Sequence, residues 1–189
     1  MSYPTTPAFN GINLISNNGT LYSESVSGRQ QSRKIGGQKW TFTASYAPMI
    51  NSEFNPVFGF IMEQDGRHGI FTVVPVGISS TSGTGSGTVA TSAASKGAVS
   101  VSVTGLTGDL KVGDVVKFSG HDKVYMLTAD RSGAGVMTFK PALVEAVGVE
   151  TVIYNNVPFT VRLAGDVQGF QLGAGLFYKY EVDFVEALS

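Results

Sequence analysis

Two histidines, His68 and His121, and a scatter of carboxylates are the residues of this chain with the clearest chemical capacity. His121-Asp122 has the look of a metal-binding pair. Such a pair needs further ligands, and no His-x-x-x-His with a nearby Glu supplies them. The flanks Phe118-Ser119-Gly120 and Lys123-Val124-Tyr125 instead mark a hairpin turn. Paired carboxylates can hydrolyse glycosides. Glu63 and Asp65 read as a solvated helix terminus, and Glu181, Asp183 and Glu186 as the wet face of an alternating strand. Gly83-Thr84-Gly85-Ser86-Gly87 has the letters of a nucleophile elbow, but it opens no helix and lies in a low-complexity stretch. A phosphate-cradling loop needs a strand before it and a helix after it, and neither is there. The segment reads as a linker. Asn18-Gly19-Thr20 matches a glycosylation sequon and reads as a tight turn. Trp40 is in phase with Phe42 and Tyr46, which places it in a core and not on a sugar. No catalytic, cofactor-binding or metal-binding residue is assigned.

The elements that carry these residues are mostly strands. Trp40, Phe42, Ala44 and Tyr46 alternate with polar neighbours, as do Tyr178, Tyr180, Val182 and Phe184, and Phe159, Val161 and Leu163. Alternation buries one face and wets the other. Further β-rich runs are 70–76, 99–103, 115–118, 123–128 and 136–139. One helix is expected from Asn51 or Ser52, with Pro56 near its first turn, an apolar face of Phe54, Phe58, Ile61 and Met62, widened by Val57 and Phe60, and a stop at Asp65-Gly66. Residues 79–98 are almost wholly Ser, Thr, Gly and Ala, which reads as a flexible connector or weak edge strands. The pattern divides the chain into a discontinuous main β domain, 1–82 with 150–189, and an inserted small β-barrel, 83–149, of five strands and OB type. The fold class is all-β with one short helix, the main domain sandwich-like or barrel-like. Trp40, Phe42, Phe58, Ile61, Val161, Tyr180 and Phe184 should form the main core.

Composition removes several classes of function. The chain has 189 residues, 42% apolar and 14% charged, with 24 glycines. It is long enough for a real core and rich in turns. The net charge of −1 is not that of a sequence-specific nucleic-acid binder. Arg29, Arg33, Lys34 and Lys39 form an acid-free run, read as a solvated strand face or a subunit contact, with a DNA or acidic-partner contact as the alternative. The absence of cysteine removes disulfides and thiol catalysis and fits assembly in a reducing cytoplasm. The first ten residues do not read as a signal peptide, and no stretch is apolar enough for a membrane span.

Three segments in order carry a family resemblance. The first is Arg29 to Phe42 (Arg-Gln-Gln-Ser-Arg-Lys-Ile-Gly-Gly-Gln-Lys-Trp-Thr-Phe), followed by Tyr46-Ala47-Pro48-Met49 and the helix. The second is Lys111-Val112-Gly113-Asp114-Val115-Val116-Lys117-Phe118, then His121-Asp122-Lys123-Val124-Tyr125. The third is the closing strand from Tyr180 to Leu188. Together they resemble the distal tail proteins of long-tailed, siphovirus-type bacteriophages, in the subgroup with an inserted OB-like domain. The resemblance implies a non-enzymatic virion protein of the phage tail, assembled in the host cytoplasm. It implies a homo-hexameric ring joining the tail tube protein to a baseplate hub or tail-tip protein. It carries no binding residues. A second reading is a host-adhesion module that binds carbohydrate through the inserted domain. A third, a cell-wall hydrolase, requires clustered carboxylates or a histidine-based metal site.

Overall fold

A computed structural model describes residues 1–188. The chain runs through β1 (Gly11–Glu24), β2 (Gln30–Ser45), α1 (Asn51–Glu63) and β3 (Phe71–Val73). It continues through β4 (Val89–Thr91), β5 (Ser100–Thr104), β6 (Asp109–Leu110), β7 (Val115–Phe118), β8 (Val124–Leu127), β9 (Arg131–Ser132), β10 (Gly135–Lys140) and β11 (Thr151–Ile153). It closes with β12 (Phe159–Leu163), β13 (Gln171–Leu172), β14 (Tyr178–Lys179) and β15 (Glu181–Glu186). The fold is all-β with one short helix.

One antiparallel sheet takes its strands from both ends of the chain, in the order β1-β2-β15-β12-β3. Its inner face is the alternating set read from the sequence. Trp40, Phe42, Ala44, Val161, Leu163, Val182 and Phe184 are all buried in one cluster with Phe54, Val57 and Ile61 of α1. The helix begins where the Glu53 carboxylate accepts the Ile50 N–H at 3.1 Å, which satisfies one of the unpaired donors at its start. The expected helix face is rotated by part of a turn. Val57 is buried, Phe58 is half-buried and Met62 is 59% exposed, because the helix crosses the sheet on its 54–57–61 ridge.

The middle of the chain folds as a closed barrel, β10-β5-β4-β11-β7-β8. It has its own core, in which the Phe118, Tyr125 and Phe139 rings stand 5.1–5.7 Å apart. It has six strands, one more than expected, and the sixth falls past the expected boundary at 149. Val152 of β11 pairs with Val89 and Phe118.

Residues 79–98 are not a flexible connector. Within them β4 sits between β5 and β11 in the barrel. The Asp114 carboxylate accepts hydrogen bonds from Thr81 Oγ1, from the Ser82 N–H at 2.9 Å and from Ser82 Oγ at 2.7 Å. Asp109 does the same for Thr84. The glycines here are required by close packing. A Cβ on Gly83 would lie 2.3 Å from the Asp109 carbonyl oxygen, and one on Gly85 would lie 2.6 Å from Leu110. Low hydropathy hid a segment whose order comes from polar bonds and bare backbone.

Candidate functional site

Two features stand out once the strands are placed. The first is an arm. β1 and β2 continue as a two-stranded ribbon well past the sheet, pairing from Gly11↔Ser45 to Glu24↔Gln30. From Asn17 to Gly36 almost every residue is exposed, on both faces. The turn is at Ser25–Arg29, closed by Ser25 N–H to Arg29 O at 2.9 Å and Gly28 N–H to Ser25 O at 2.8 Å. Gly28 takes φ +77, a conformation that glycine adopts without strain. The expected turn at Asn18-Gly19 is instead an irregularity inside β1, where Gly19 faces Gly36 and the register shifts. Only Ile12 and Leu14, at the start of β1, pack against the sheet core; the arm beyond them has no buried face and offers no alternation to read.

The arm carries Arg29, Arg33, Lys34 and Lys39 against the single acid Glu24, which accepts a hydrogen bond from the Tyr22 hydroxyl at 2.9 Å. None of these cations forms an ion pair among the described residues. Leu21, Tyr22, Val26 and Ile35 are exposed beside them. At the far side of the sheet Met1–Tyr3 covers the edge of β3, through Tyr3 N–H to Thr72 O at 2.8 Å and Thr72 N–H to Met1 O at 3.0 Å. The opposite edge, β1, is left open.

The second feature is the junction between sheet and barrel. Glu186 is fully buried, and its carboxylate faces the fully buried Lys123 ammonium of the barrel. It also accepts the N–H groups of Trp40 at 3.1 Å and Val124 at 3.0 Å. Lys123 donates further to Gln38 O at 3.0 Å and Gln38 Oε1 at 2.6 Å. Trp40 Nε1 donates to Val124 O at 2.9 Å. Beside this knot, Lys117 donates to Pro158 O at 3.1 Å and Thr160 Oγ1 at 2.8 Å, and Thr160 donates to Asp122 at 3.0 Å. Burial pushes both ammonium groups below the ordinary lysine value, against the pull of Glu186 on each and of Asp122 on Lys117. Val115 and Val124 belong to the sheet's core cluster, not the barrel's. The barrel is therefore fastened to the sheet by buried charge as well as by apolar contact.

The sequence read Glu186 as wet. Strand parity points the other way, since 186 is in phase with the buried Val182 and Phe184. Glu181 and Asp183 do lie on the exposed face, with Asp183 accepting from Thr43 at 2.5 Å. The remaining candidates do not converge. His68 is exposed in the turn after α1, near Glu63 and Asp65 in the chain but far in sequence from His121. His121 follows a turn as expected, with its N–H bonded to Phe118 O at 3.1 Å, but its ring is buried. It lies 3.0 Å from a Glu145 oxygen and 2.9 Å from a Glu150 oxygen. Neither Nδ1 nor that Glu150 oxygen gains an aligned hydrogen bond. Gly83–Gly87 is backbone packed on β6, and Trp40 is in the core. No group of three His, Asp or Glu among the described residues is arranged to hold a metal ion.

Comparison with known proteins agrees with the resemblance. Residues 79–157 match the family described as the B domain of distal tail protein pb9. The chain is also 26% identical over 171 residues to distal tail protein pb9 of Escherichia phage T5, covering 87% of this chain and 84% of that protein.

Proposed function

We propose, from the premise that this chain is related to the phage distal tail proteins and is a structural component of the virion tail, that it forms a hexameric ring between the tail tube and the tail tip. The observation that carries the reading is the arm with its open edge. A long ribbon with exposed apolar side chains and unpaired cations has no internal reason to persist. An uncovered β1 edge is a template for a second chain. Contact between one copy's arm and a different surface of the next is heterologous, and heterologous contacts form a ring where the rotation between copies closes. The barrel is then carried at the outer rim of the ring.

The reading includes the division of the chain into a ring unit and a barrel unit, and the absence of any turnover activity. Native mass spectrometry of the pure protein at high concentration tests it. The expected species is a hexamer that is lost when residues 19–36 are replaced by a two-residue Asn-Gly turn. A hexamer that survives this replacement would remove the arm from the account.

A further inference from the structure

A groove of about 350 Å³ runs between the base of the arm and the rim of the barrel. Lys34 of the arm stands on one bank and Lys140 of the barrel on the other, with Gln38, Trp40, Met126 and Pro141 between them. Among the described residues no carboxylate lines it. Neither lysine is in an ion pair among the described residues. The carboxylate that touches this wall from behind, Glu186, is fully engaged by Lys123 and by the Trp40 and Val124 N–H groups. Among the described residues no carboxylate pairs with either cation.

We propose that this groove docks an acidic peptide segment of another tail component, with an apolar side chain on the Met126 floor and carboxylates flanking it at Lys34 and Lys140. Charge complementarity selects the acid, and the floor selects the apolar anchor. Methionine's unbranched, polarizable side chain adapts to such an anchor. A sugar is disfavoured because stacking needs an exposed aromatic face, and Trp40 is only 5% exposed. Strand addition is disfavoured because Met126 is already paired on both sides, with Val115 and Lys140. Recognition here is therefore by side chains. Only the identity of the partner as a tail component rests on the family reading. The binding itself does not depend on ring formation.

The full chain with 13C-methyl-labelled methionine is titrated with a short capped peptide of alternating glutamate and leucine. The Met126 methyl resonance should move at low salt. The affinity should fall about tenfold when Lys34→Glu and Lys140→Glu are combined, and should fall with added salt. Both lysines are exposed, so these variants keep the fold. An unmoved Met126 resonance, binding unchanged in the double variant, or equal binding of a lysine–leucine peptide would overturn the proposal. An oligogalacturonate that moves Met126 as strongly as the peptide would overturn it in favour of a saccharide.

Discussion

Lys123 and Glu186 lie 63 residues apart in the chain and form an ion pair in which both side chains are 0% exposed. One comes from the turn between two barrel strands and the other from the last strand of the sheet. Two charges taken out of water together cost several kcal/mol each unless geometry and further hydrogen bonds compensate. Here Gln38, Trp40 and Val124 provide those bonds. Removing one partner should therefore cost more than removing both. Lys123→Met or Glu186→Gln alone should destabilise the chain by about 3–5 kcal/mol in denaturant unfolding. The double Lys123→Met, Glu186→Met change should recover a large part of that. Single changes below about 1 kcal/mol would show that the pair does not hold the junction.

Acid should loosen the start of the barrel. Burial opposes ionisation of Asp114, but hydrogen bonds from Thr81, Ser82 and Lys111 outweigh it and hold the carboxyl below its usual 3.8. A carboxylate depressed in the folded state contributes stability that is complete above the unfolded value and is lost as pH falls through the folded one. Amide exchange at Ser82 and Lys111 should accelerate as pH drops below about 4, after correction for intrinsic rates. In Asp114→Asn the acceleration should be absent and the exchange fast throughout. Protection unchanged down to the lowest pH would contradict this account of segment 79–98.

Core truncations should separate Phe42 from Phe58. Phe42 is 1% exposed and packs edge-on to Phe159 and tilted against Phe184. Phe42→Ala should cost about 3–5 kcal/mol. Phe58→Ala should cost visibly less, because that ring is only half-buried. Equal losses in thermal or denaturant unfolding would mean that α1 sits on the sheet by its other ridge.

Strand parity made the sheet's inner face readable, because Phe42, Val161 and Phe184 each repeat every second residue with polar neighbours. It also contained Glu186, but a charged residue in an apolar phase reads as an exception until its partner is placed. That partner, Lys123, lies in a segment whose burial depends on docking of two units, which no local pattern records. The arm part of β1 was hidden for the opposite reason, since a strand with both faces wet has no period, and Ile12 and Leu14 alone are too short a run to show one. Segment 79–98 was hidden because Asp109 and Asp114, which order it, are 25 to 33 residues away.

The barrel should be removable only with its seam repaired. Val157 N–H reaches Ser79 O at 2.8 Å, so the two chain ends meet there. Excising residues 80–156 leaves Trp40 uncovered and Glu186 without Lys123. The excised chain should aggregate, while the same chain with Trp40→Thr and Glu186→Thr should be soluble and unfold cooperatively. Circular dichroism and denaturation distinguish the two. A soluble, cooperative product without the two changes would show that the junction is dispensable to the sheet.

The central claim is a ring built through the arm. Electron-microscopic averaging of the distal end of tails carrying this protein tests it most directly. The account predicts sixfold end-on density, with each arm lying across a neighbouring copy and the barrel at the periphery. A ring of another order, or arms that touch no neighbour, would contradict it.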